Sequence, residues 1–204
     1  MWPKSGRHIL AQFDQDSIVV YQAYKPSIGH FAVDNGFFGG DFSYSRMSWI
    51  KPNFLWMMYR SGWGVKPDQE ITLAIRLKRS YFDVILNEAV PSTWDASLYP
   101  LRDDWQQAVT RSDVRLQWDP DHDPSGKKEE RRAIQLGLRG AALEGFKGDG
   151  IVSIEDVSDF VAEQRSNANN GRYANLLTPA EAVYPVTDSA IRGRLGLDEG
   201  TTIE

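Results

Sequence analysis

The run Phe54-Leu55-Trp56-Met57-Met58-Tyr59, with Pro52 before it and Gly62 after it, constrains the fold more than any other stretch of the chain. It is the longest uninterrupted apolar segment, and its six residues fall far short of the roughly 20 a membrane helix needs. Proline can open a helix and glycine can stop one, so the spacing predicts a compact helix from Pro52 to about Ser61. On it Phe54, Leu55 and Met58 share one face, and Asn53, Trp56 and Arg60 share another. A helix this short and apolar has to be covered, so the chain must supply a wider layer.

Strands supply that layer. Ser17–Tyr24 (SIVVYQAY) is β-branched and aromatic on both faces, with Ile18, Val20, Gln22 and Tyr24 on one and Val19, Tyr21 and Ala23 on the other. Ile71–Leu77 alternates cleanly. Val114–Trp118, Arg132–Leu138 and Ile151–Ile154 are three further strands, and Arg46–Ile50 is a short extended piece. Helices are expected over Pro26–Phe37, from Ser80 with Asp83 as a capping pair, from about Asp156, after the capping box Thr178-Pro179-Ala180-Glu181, and over Ser189–Leu195. Asp119–Lys128 and Arg165–Arg172 read as loops, the second as a mobile one. Regular strand–helix–strand alternation is missing, so the expected fold is a single α+β domain over residues 1–204, with mixed or antiparallel strands and short flanking helices.

The chain has no cysteine, which removes thiolate metal sites, disulfides and sulfur redox chemistry, and a cytoplasmic location is expected. No basic-then-apolar leader opens it, and no membrane partner is expected. Charge is uneven. The net value of −5 divides into 10 Lys+Arg against 6 Asp+Glu over residues 1–80 and 13 against 22 over residues 81–204. Of the 24 aromatic residues, 14 precede Gly64, interleaved with Arg46, Lys51 and Arg60. Cations beside flat rings suit a ligand with phosphates and a base, and an aromatic core with rim cations has the same composition.

Several motifs look chemical and fail on inspection. Lys147-Gly148-Asp149-Gly150 matches the adenylated-lysine motif of nucleotidyl-transferring ligases, but the several strands those enzymes need downstream do not fit between Gly150 and Glu204, so it reads as a turn between a helix and a strand. Asp119, Asp121, Asp123, Ser125, Lys127 and Glu130 fall in calcium-loop register, yet Pro124 stands where that loop needs glycine. His8, His30 and His122 lack zinc spacing, so no metal is expected. Glycine-rich phosphate loops and nucleophile elbows are missing as well.

The segment Arg46-Met47-Ser48-Trp49-Ile50-Lys51-Pro52-Asn53-Phe54-Leu55-Trp56-Met57-Met58-Tyr59-Arg60-Ser61-Gly62-Trp63 resembles the signature of the family called domain of unknown function 4291. Val20–Tyr24, Gln69-Glu70, Gln117–Pro120 and Ala133–Arg139 agree with it, from Arg7 to about Leu197, and Asp121-His122 departs from its usual Glu-Arg. The order of elements also resembles an ADP-ribosyltransferase core, in which NAD lies in a cleft between two small sheets. That resemblance implies an ADP-ribosyltransferase-like split sheet, with Gln22 at the first-strand histidine position, Ser48 near the second-motif serine and Gln135 at the glutamate position. A glutamine cannot supply the negative charge of a glutamate, so Glu130 or Glu70 would have to, or the fold binds without turnover.

The expected site follows from these readings. Arg46, Lys51 and Arg60 clamp a pyrophosphate, Trp49 or Trp56 stacks on a ring, and Gln22, Ser48, Glu130 and Gln135 stand at the reacting end. NAD is the expected ligand and a nucleic acid or a protein the acceptor; the alternative is a nucleotide- or RNA-binding module without catalysis. Gln22 and Gln135 sit in otherwise apolar strands, where a cleft ligand or a backbone group must pair them. Asp119 reads as a turn residue before Pro120.

Overall fold

The computed structural model describes residues 2–171 and 173–198. In chain order the elements are β1 (Ser5–Arg7), β2 (Leu10–Ala11), β3 (Ser17–Tyr24), α1 (Pro26–Asn35), β4 (Ser48–Ile50), α2 (Phe54–Ser61), β5 (Ile71–Lys78), α3 (Arg79–Glu88) and β6 (Ala89–Pro91). There follow α4 (Arg102–Arg111), β7 (Val114–His122), β8 (Lys128–Leu138), α5 (Gly140–Leu143), β9 (Ile151–Asp156), α6 (Ser158–Asn169), β10 (Ala182–Val183) and α7 (Ser189–Leu195). Helices and strands are mixed along the chain, as expected for an α+β protein.

Two sheets carry the architecture. One is antiparallel, in the order β3-β5-β9. The other runs β1-β8-β7-β6, with β1 parallel to β8 at Glu130–Arg132 and β4 antiparallel to β8 at Leu136–Leu138, so the long β8 carries two short partners on one edge. The sheets meet at Lys51, just after β4. Its carbonyl accepts from Tyr21 N at 2.8 Å and its amide donates to Tyr21 O at 3.2 Å, which ties β4 to the edge strand β3.

Period-2 patterning explains the core. Leu73, Ile75 and Leu77 of β5 join Ile18 and Val20 of β3 and Leu136 and Leu138 of β8 in the main cluster, all fully buried. The other face of β3 presents Val19 and Tyr21 to Phe54, Leu55, Met57 and Met58 of α2, with Val161 of α6 beneath them. Both faces of β3 are therefore covered, and the apolar run of α2 has the sheet it requires.

Four local expectations are corrected. The segment Asp119–Lys128 is not one loop: β7 continues to His122 and the turn shrinks to Asp123–Lys127, where Asp123 Oδ1 accepts from the amides of Ser125 (2.8 Å) and Lys127 (3.0 Å) and Gly126 takes φ +83°. Ser80 and Asp83 do not cap α3, because β5 runs straight into it and Asp16 O already takes the Arg79 amide at 2.8 Å. Most of Arg165–Arg172 is helical: α6 reaches Asn169, held by Arg165 Nη1 on Trp63 O (3.1 Å) and by Gln164 Oε1 on the Leu177 amide (2.8 Å), while Arg172 lies outside the described residues. Thr178–Glu181 opens no helix, since Ala182–Val183 pairs with β2 instead. Among the described residues no helix is long and apolar enough to cross a membrane.

Candidate functional site

The edge where β3, β4 and β8 converge opens into a cleft of ≈ 900 Å³. Gln22, Ser48, Gln135, Arg46, Trp49, Lys51 and Arg60, named from the sequence, all line it, and so does Gln117. The strand register brings them together. Trp49 pairs with Gly137 and Ile50 with Leu136, and Gln135, the next residue along β8, pairs with Gln117 of β7. Gly137 is needed there because a β-carbon would come within 2.9 Å of the Trp49 indole and closer still to Met47 Sδ.

Three candidates fall elsewhere. Glu130 is exposed on the far half of β8, paired with Ser5, and does not line the cleft; Glu70 is exposed and accepts from the Asp68 amide. Trp56 faces away from the cleft: it is 3% exposed and stacks against Tyr59 and His122. It still affects the site indirectly, since the Arg60 guanidinium lies 5.8 Å from its ring centroid, as the four-residue spacing on α2 requires.

The cleft is electropositive. Lys25, Arg46, Lys51, Arg60 and Lys66 stand on its wall against Asp41 and Asp68, in a chain of net charge −5. Lys25 is neutralised by Asp41 at 2.9 Å. Among the described residues no carboxylate lies within ion-pair distance of Arg46, Lys51 or Arg60. Lys51 is 7% exposed, and burial followed by the nearby Arg60 charge pushes its ammonium down to about 8, with Asp119 pulling the other way.

Asp119 is not the turn residue that its place before Pro120 suggests. It sits within β7, and its two oxygens accept from Gln117 Nε2 at 2.9 Å and Gln135 Nε2 at 2.7 Å. Carrying the strand through Pro120 would have put Gln117 and Asp119 on one face by period 2. On the β3 side, Gln22 Nε2 donates to Ser48 Oγ (2.7 Å) and to Trp49 O (3.1 Å), and Tyr24 Oη shares a hydrogen bond with Ser48 Oγ at 2.8 Å. Burial holds the Tyr24 phenol well above its usual value, so it stays a neutral hydroxyl.

The helix behind the site is anchored by a residue from far along the chain. Glu181 reaches the start of α2 and accepts from Phe54 N at 2.6 Å and Asn53 Nδ2 at 2.9 Å, while Asn53 Oδ1 caps Trp56 N at 2.7 Å. Burial pushes the Glu181 carboxyl up to about 8 against these donors, which favour its charged form.

The model of the family described as domain of unknown function (DUF4291) matches residues 8–184. No curated protein matches the chain.

Proposed function

The chain belongs to the domain of unknown function 4291 family, a membership that carries no activity with it, and from the cleft we propose a nucleotide-binding protein that uses NAD and transfers ADP-ribose to a macromolecule. One observation carries the reading: Arg46, Lys51 and Arg60, without carboxylate partners among the described residues, face one cleft of an acidic protein. A buried ammonium without a counter-ion is costly, and a ligand phosphate relieves it. The volume of ≈ 900 Å³ falls within the range of about 300–1,000 Å³ typical of small-molecule sites. The meeting of two sheets beside Gln22, Ser48 and Gln135 agrees with the ADP-ribosyltransferase resemblance.

In this reading the three cations hold the pyrophosphate and Trp49 stacks on a ring. The bond from ribose C1′ to the nicotinamide nitrogen breaks with its electron pair on nicotinamide. An acceptor oxygen or nitrogen on a nucleic acid or protein bonds to C1′ and releases its proton to water. Asp119, behind Gln117 and Gln135, replaces Glu130 and Glu70 as the source of the negative charge that the ribose needs. One observation favours the second reading, a nucleotide- or RNA-binding module without catalysis: both Asp119 oxygens are already occupied by amides.

Nicotinamide release from NAD, measured alongside calorimetric titration with ADP-ribose, tests both. Binding with release supports the transferase, binding without release supports the module, and the absence of both overturns the nucleotide reading.

A further inference from the structure

Three of the glutamines that line the cleft, Gln22, Gln117 and Gln135, are oriented by chemistry. A backbone carbonyl and a carboxylate can only accept, so Trp49 O fixes which end of the Gln22 amide is NH2, and Asp119 does the same for Gln117 and Gln135. Each side chain therefore turns its donor end into the protein and keeps its carbonyl for something else. At Gln22 this has a consequence, because the residue is 2% exposed and its Oε1 is buried with no hydrogen-bond partner among the described residues. An orphaned buried acceptor on the wall of a cleft calls for a donor from the ligand.

Resting on the nucleotide reading above, we infer that Gln22 is a specificity-determining residue that accepts from an uncharged NH2 group of the ligand, with Gln117 and Gln135 offering further acceptors beside it. Two groups of NAD have that chemistry, the nicotinamide carboxamide and the exocyclic amine of adenine. The cations at Lys51 and Arg60 hold the charged middle of the ligand, and the glutamine carbonyls receive an end that carries donors and no negative charge.

Three ligands separate the possibilities: NAD itself, its nicotinic acid analogue, in which a carboxylate replaces the carboxamide, and its hypoxanthine analogue, which lacks the adenine amine. Charge alone would favour the nicotinic acid analogue in an electropositive cleft, so weaker binding of that compound isolates the hydrogen bond. Calorimetry on the unmodified protein is expected to show one analogue binding about 10- to 100-fold more weakly than NAD, which identifies the amine that Gln22 reads. Gln22→Met, similar in size and without an acceptor, is expected to bring NAD and that analogue within about threefold of one another. Equal binding of all three ligands to the unmodified protein overturns the inference and leaves the nucleotide reading standing, and this comparison does not depend on the variant folding. A preference that survives in folded Gln22→Met also overturns it. If none of the three binds, the nucleotide reading falls and the inference with it.

Discussion

An ammonium that is 7% exposed and has no carboxylate within ion-pair distance among the described residues works against the fold, and Lys51 is in that position. Its proton leaves near pH 8 in the folded chain, against 10.5 as the ordinary value. Between those values the unfolded chain binds more protons, so the Lys51 contribution makes stability rise with pH through that window, and the full cost is present below it. At 1.36 kcal/mol per unit that cost is roughly 3 kcal/mol. Lys51→Met is therefore expected to stabilise the protein by up to about 3 kcal/mol at pH 7, a gain that shrinks toward pH 10.5. Urea denaturation of both chains across that range reads it; a variant no more stable than its parent at pH 7 contradicts it. Residues of this kind were legible in part. Lys51 and Arg60 stand out in sequence as cations among aromatics, and Trp56 with Arg60 follows from helix spacing. Asp119 was not legible, because proline at the next position argued for a turn, and its place shows only in the bonds it accepts from Gln117 on its own strand and Gln135 across the sheet.

At the scale of elements, α2 depends on a carboxylate supplied from 127 residues away along the chain. The amide of Phe54 and the side chain of Asn53 both donate to Glu181, so the helix that carries Arg60 is fixed by a segment with little structure of its own. Glu181→Ala strands these donors and is expected to cost about 1–3 kcal/mol and to speed hydrogen exchange at the first-turn amides of α2 before those of β5. Unchanged exchange at Phe54 would contradict the assignment. The strongly patterned elements, β3, β5, α2 and α7, were readable because period and punctuation agree in each. Thr178–Glu181 carries an equally good local signal, a capping box with proline, yet Glu181 finds orphan amides on another helix and the local option loses. Helix α4 was not foreseen, since it buries no residue and is held through Trp105 Nε1 on Pro91 O at 2.9 Å. Such tertiary partners leave no periodic trace in sequence.

The molecule as a whole places a positive cleft, at the join of two sheets, on a chain of net charge −5. Two carboxylates of the calcium-loop register are committed to the fold. Asp121 is 1% exposed and paired with Arg131, and Asp123 ties its own turn, so the calcium-loop register has lost its ligands to structure. Millimolar calcium is expected to leave Tm unchanged in a thermal melt, and a saturable rise would show that those carboxylates remain free. The mixture of helix and strand was legible from alternation, and so were most residues of the cleft, while the contact that joins the sheets was not, because Tyr21 and Lys51 are far apart in sequence and pair through backbone alone. Calorimetric titration of ADP-ribose into the parent chain and into Arg60→Ala tests directly whether the cations of the cleft hold a pyrophosphate. Arg60 is exposed and has no ion-pair partner among the described residues, so its loss is expected to change stability by less than about 0.5 kcal/mol. Binding to the parent is expected to saturate, to weaken as salt is raised and to be poorer in the variant by roughly 1.5–3 kcal/mol. No binding to the parent, or equal binding to both, would contradict that role of the cations.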